Sequence, residues 1–108
     1  MRALRNWLAT RMLWHRLWRQ LVEMDWLVKA GRGHDQFRQL APFKAFEAWT
    51  DDARLHYKAG RLNETVEAID AAMQLLTRLD EDVQRKLLHL AAKARHEEYM
   101  LQVAELCQ

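Results

Sequence analysis

The 108-residue chain contains no serine, one isoleucine (Ile69), one proline (Pro42) and one cysteine (Cys107). Without serine no Ser-based triad can be assembled. A lone cysteine excludes an internal disulfide and a Cys-based zinc site, and no base or orienting group near Cys107 in sequence would activate it. No run of about 20 apolar residues is available to cross a bilayer. Arg2, Arg5, Arg11, Arg16 and Arg19 interrupt every apolar stretch at the start, so neither a secretory leader nor a membrane span is expected. The near-absence of cysteine fits a reducing compartment, and a cytoplasmic location is the expectation.

Histidine chemistry is equally thin. His15, His34, His56, His89 and His96 form no i, i+4 pair, and His96-Glu97-Glu98 lacks the second histidine of a zincin motif. His89 and His96 share a helical face but read as solvated. Asp51-Asp52 and Glu97-Glu98 are adjacent pairs whose side chains diverge on a helix, and Gly31-Arg32-Gly33 is too short to cradle a phosphate. The expectation is therefore no enzyme: no catalytic residue, no cofactor and no metal.

What the chain has instead is 17 leucines and 15 alanines. These favour helix, and the β-branched residues that favour strands are scarce, so the composition predicts an all-α fold. Half the residues are apolar and 30% charged, a balance that suits one globular domain burying roughly 65% of its unfolded surface. The net charge of +2 conceals an asymmetry. Residues 1–45 hold nine Lys/Arg against three Asp/Glu, and residues 46–108 hold eight against twelve, so the halves carry +6 and −4. They can attract each other within one fold, or head-to-tail between copies.

Periodicity divides the chain into a long basic, Trp-rich helix over 2–30, a linker over 31–41 behind the Gly31-Arg32-Gly33 breaker, a helical hairpin over 42–79 and a terminal helix over 82–107. Pro42 suits the first turn of the hairpin. Phe43, Phe46, Thr50, Ala53 and Tyr57 form its first apolar stripe, and Gly60 is the expected C-terminal cap, with φ above zero. Asn63 is the expected N-cap of the second hairpin helix, which is apolar along Ala68, Ile69, Ala72, Leu75, Leu76 and Leu79. Asp82 is the expected cap of the last helix. That helix carries two stripes: Val83, Leu87, Leu90, Ala94 and Leu101, and well around from them Leu88, Ala92, Tyr99, Val103 and Leu106. A helix apolar on two sides needs two neighbours.

Trp49, Ala53, Tyr57, Gly60, Leu62, Glu64, Ala68, Ala72 and Leu75 carry a spacing that resembles a single tetratricopeptide repeat. The densest part of the match is Tyr57-Lys58-Ala59-Gly60-Arg61-Leu62-Asn63-Glu64. Asp52-Ala53 stands where that family prefers Leu-Gly, Thr65 replaces a small alanine, and no proline follows Leu76. Residues 48–106 are also similar, more weakly, to a microtubule-interacting and trafficking domain. Either resemblance implies a helical scaffold that grips another protein. One repeat cannot bury its own face, so the expected architecture is a compact four-helix unit containing one repeat-like antiparallel hairpin.

In the first helix, Leu4, Trp7, Trp14, Trp18, Leu21 and Val22 are read as one side, with Arg2, Arg5, Arg16 and Arg19 opposite. Trp at helical spacing ordinarily means core, yet three indoles exceed what a small core holds, and Trp is over-represented at interfaces. The functional expectation is a non-enzymatic protein–protein interaction module of adaptor, chaperone-like or inhibitory type, one that also forms homo-oligomers. Its candidate contacts are Trp7, Trp14 and Trp18 with Tyr99, Val103 and Leu106. Within this set Trp18 is expected to be structural and Trp14 interfacial. The alternative is a nucleic-acid-binding regulator using Arg2, Arg5, Arg16 and Arg19 as the contact with an anionic partner.

Overall fold

A computed structural model describes residues 2–107. Helix α1 spans Arg2–Arg32, α2 is a single turn at Asp35–Arg38, and α3 (Ala41–Lys58), α4 (Leu62–Thr77) and α5 (Glu81–Leu106) complete the chain. The fold is all-α, with no strand among the described residues.

The closest pairing is the α3–α4 hairpin. Phe43, Phe46, Thr50 and Ala53 form the buried side of α3, and Ala68, Ile69 and Ala72 that of α4, as the stripes predicted; Thr65, outside the predicted stripe, is buried with them, and Tyr57, Leu75 and Leu76 are half-buried. Alanines at 53, 68 and 72 let the two backbones approach closely. Both threonines are fully buried, and each satisfies its hydroxyl locally. Thr50 Oγ1 donates to the Phe46 carbonyl at 2.8 Å and Thr65 Oγ1 to the Arg61 carbonyl at 2.5 Å. Gly60 turns the chain at φ +75°. Its N–H donates to the Tyr57 carbonyl (3.1 Å) while Arg61 N–H donates to that of His56 (3.0 Å), the paired bonds of a Schellman cap. A side-chain latch backs the turn: Arg61 Nε donates to His56 Nδ1 at 2.9 Å, and His56 Nε2 lies 3.3 Å from Asp52.

The structure corrects several expected boundaries. Helix α1 ends within the Gly31-Arg32-Gly33 breaker, at Arg32, two residues later than expected; Gly31 lies buried in its last turn, where a Cβ would overlap the ring of Phe43. Gly31 thus serves close packing as well as standing at the helix end. The expected linker 31–41 contains α2, whose Phe37 is buried. Asn63 is not a cap: α4 begins at Leu62 behind Arg61. Asp82 likewise lies within the first turn of α5, which starts at Glu81 behind Asp80. Asp80 is itself a favoured cap residue, so α5 keeps the preference two positions earlier, whereas α4 starts without one, bringing half-buried Leu62 into its first turn. Helix α4 ends at Thr77 rather than Leu79, and buried Leu79 anchors the connection, with Gln84 Nε2 donating to its carbonyl at 2.7 Å.

Helix α5 docks on α1 rather than on α4, its neighbour in sequence. Leu17, Leu21, Met24 and Val28 supply the α1 side of the core, and Leu87 and Ala91 the α5 side. Two ion-pair groups join α1 to α3. Asp25 accepts from Arg54 at 2.9 Å and faces Lys29 at 3.2 Å, while Arg32 donates to Glu47 at 2.8 Å. The Glu47 hydrogen bond raises the Arg32 pKa further above its ordinary range. With two long helices the molecule is flat, 51 × 43 × 23 Å, and its radius of gyration of 16.2 Å exceeds the ~13 Å of a compact domain this size.

Candidate protein-interaction surface

The apolar residues of α1 form two stripes rather than one. Leu17, Leu21, Met24 and Val28 follow the i, i+4, i+7, i+11 rhythm and face the core. Extended towards the N-terminus, the same rhythm meets Leu13, then Thr10 and Asn6. Leu13 is half-buried, and Thr10 Oγ1 donates to the Asn6 carbonyl at 2.8 Å. The core-facing side therefore turns polar beyond Leu13. Leu4, Trp7, Leu8 and Trp18 spread between about 70° and 170° further around the helix and are exposed, Trp7 at 52% and Trp18 at 51%. The predicted single side of Leu4, Trp7, Trp14, Trp18, Leu21 and Val22 thus merged a core stripe with an outward one.

The two central tryptophans are placed opposite to expectation. Trp14 is half-buried against the core, edge-on to Tyr57 with ring centroids 5.2 Å apart, whereas Trp18 is exposed and stacks on His15 at 6.3 Å. Trp14 lies on the flank of the outward stripe nearest α3, and Tyr57 covers it. Arg11 stands over the Trp7 ring, 5.0 Å from its centroid, so guanidinium and indole form one surface unit. Arg2, Arg5, Arg16 and Arg19 are exposed and make no ion pair among the described residues.

Helix α5 repeats the design. Its core stripe of Val83, Leu87, Leu90, Ala91 and Ala94 continues into Glu98, Leu101 and Glu105, all exposed. The second stripe is open to solvent at Leu88, Tyr99 and Leu106 (87% exposed), and Val103 is half-buried.

A cleft of about 250 Å³ joins the two helices, with Met24, Leu27, Met73, Leu76 and Leu88 on its walls. Gln20 and Glu23 border both this cleft and the α1 strip around Trp7, Leu8 and Met12. Ala92 and Arg95 border both the cleft and the α5 strip around Tyr99. These linings run from Trp7 on α1, through Gln20 and Glu23 and across the cleft, to Arg95 and Tyr99 on α5; Trp18 lies apart from them, beside Arg54, Tyr57 and Lys58 of α3. Sequence reasoning missed Leu8 and Met12 as members, set Leu101 on the other stripe of the last helix, and placed Leu88 on the second stripe without counting it among the contacts. The available signal was the angular offset between core and outward positions on each helix. His89 and His96 belong to no group of three possible metal ligands among the described residues, and no helix among them is long and apolar enough to cross a membrane.

Compared with protein-family models, curated proteins and solved structures, the chain matches none.

Proposed function

We propose that this protein is a non-catalytic helical interaction module, of adaptor, chaperone-like or inhibitory type, whose partner is another protein. The observation that carries the reading is the departure of the α1 apolar stripe from the core side beyond Leu13. A helix whose apolar residues served only its own fold would keep Leu or Val at positions 10 and 6. Here those positions are Thr and Asn, and the large side chains point outward. Trp and Arg together on such a face are the residue types that most often anchor a protein interface. The α3–α4 hairpin, read as one repeat-like unit, is the scaffold that holds α1 and α5 in place. A reducing, cytoplasmic setting suits a chain whose single cysteine is free and exposed.

The test is capture by the immobilised full chain, identification of the bound protein, and titration of that protein in purified form. Trp7→Ala with Trp18→Ala should weaken binding at least tenfold while leaving thermal melting within a few degrees of wild type. Unchanged binding by this double variant would remove the reading. Four exposed arginines without ion pairs support the alternative, an anionic nucleic-acid partner. In that case affinity falls steeply with salt, with a slope set by the number of phosphates neutralised, whereas an apolar interface responds little.

A further inference from the structure

The partner that best fits this surface is a second copy of the same chain. Residues 2–22 carry five arginines and no acid, a net +5, on an arm that also exposes Leu4, Trp7, Leu8, Met12 and Trp18. Beyond Arg95, residues 96–107 carry Glu97, Glu98 and Glu105 with no Lys or Arg, a net −3, on an arm that exposes Tyr99, Met100, Leu101 and Leu106. Both arms expose apolar residues outside the core, they carry opposite charge, and the cleft between α1 and α5 links the strip around Trp7, Leu8 and Met12 to that around Tyr99. We infer that two copies associate about a twofold axis, the basic α1 arm of each laid against the acidic α5 arm of the other. This rests on the reading above that the surface binds protein, and commits to a second copy as its occupant.

Charge selects this pairing over its rivals. Two α1 arms together would set +5 against +5, and two α5 arms −3 against −3, whereas the crossed arrangement attracts at both contacts. A twofold axis uses each contact twice and leaves no free end, so the assembly closes at two copies. A polyanion could cover the α1 arm, but the acidic α5 arm would repel it and keep its own apolar residues uncovered. Area points the same way. The exposed large side chains of the two arms together present on the order of 1,000 Å², against the ~800 Å² per partner in a standard interface.

The test is light scattering and sedimentation on the full chain at high micromolar concentration, with two charge-reversed variants. One carries Arg5→Glu, Arg16→Glu and Arg19→Glu, and the other Glu97→Lys, Glu98→Lys and Glu105→Lys. All six positions are exposed, and unchanged far-UV circular dichroism and melting establish that each variant folds. Wild type should show twice the 12.9 kDa monomer mass. Each variant alone should be monomeric, with its dissociation constant raised at least tenfold, because its two arms now carry the same sign. An equimolar mixture should recover the dimer mass as a mixed pair, since each reversed arm meets an arm of opposite charge. A monomeric wild type, variants that dimerise undiminished, or a mixture that stays monomeric would each overturn the inference. So would a monomer that binds a DNA duplex, or vesicles of equal parts phosphatidylcholine and phosphatidylserine, instead of itself. A monomeric wild type that still captures another protein through Trp7 and Trp18 would overturn only this inference and leave the interaction-module reading standing.

Discussion

Gly31→Ala tests the packing that joins α1 to α3, and here two general effects of opposite sign compete. In an exposed helix interior the change gains about 1 kcal/mol, because alanine loses less backbone entropy than glycine. In this protein the added methyl would overlap the Phe43 ring, which is 1% exposed and set deep in the core. The ring cannot move into solvent, so either the helices separate or the ring takes a poor rotamer, at a typical cost of 1–3 kcal/mol. The upper limit is complete loss of the ring's packing, about 3–5 kcal/mol by analogy with Phe→Ala. The expected net result is a destabilisation of about 1–3 kcal/mol, a large share of a small domain's margin. Phe43→Ala removes the obstruction. In that background Gly31→Ala should become neutral or stabilising by up to about 1 kcal/mol, and the change of sign is the diagnostic. Urea denaturation followed by far-UV circular dichroism on the four members of the cycle measures the coupling directly. If Gly31→Ala stabilises the wild-type background, Phe43 does not pack over Gly31, and the account of how α1 meets α3 fails.

Gly60→Ala should cost about 1–2 kcal/mol from its left-handed backbone alone, because no atom lies within 4 Å of where the methyl would stand; denaturant titration checks this, and a neutral result would count against the cap. Trp14→Ala should lower stability by about 2–3 kcal/mol through its loss of contact with Tyr57 and the core, whereas Trp18→Ala should cost less than about 1 kcal/mol and act on binding instead. Thermal melts of the two variants separate these outcomes. Asp25→Asn should cost at most about 1 kcal/mol by weakening the Arg54 and Lys29 pairs, and the difference from wild type should shrink in molar salt. A salt-independent loss would mean that Asp25 acts by packing.

Much of the fold is legible along the chain because its signals are local. Leucine and alanine abundance with few β-branched residues sets the all-α class. The i, i+3, i+7 spacing of Phe43, Phe46, Thr50 and Ala53 marks the face of α3 that is buried. Gly60 at a turn with positive φ follows from the absence of a Cβ, a property that needs no tertiary context. The two-sided character of α5 is visible as two runs of apolar residues far apart around the helix. Three other matters depended on contacts between residues distant in sequence. Whether Gly31 merely ends a helix or also lets a ring in depends on Phe43, twelve positions on. Whether Trp14 or Trp18 is covered depends on Tyr57, whose ring packs edge-on against Trp14. Which neighbour α5 chooses, and hence which halves of α1 and α5 remain open, depends on how the hairpin fills the opposite side of α1. Periodicity states how many apolar faces a helix has; only the packed fold decides which face meets the core and which stays open to solvent.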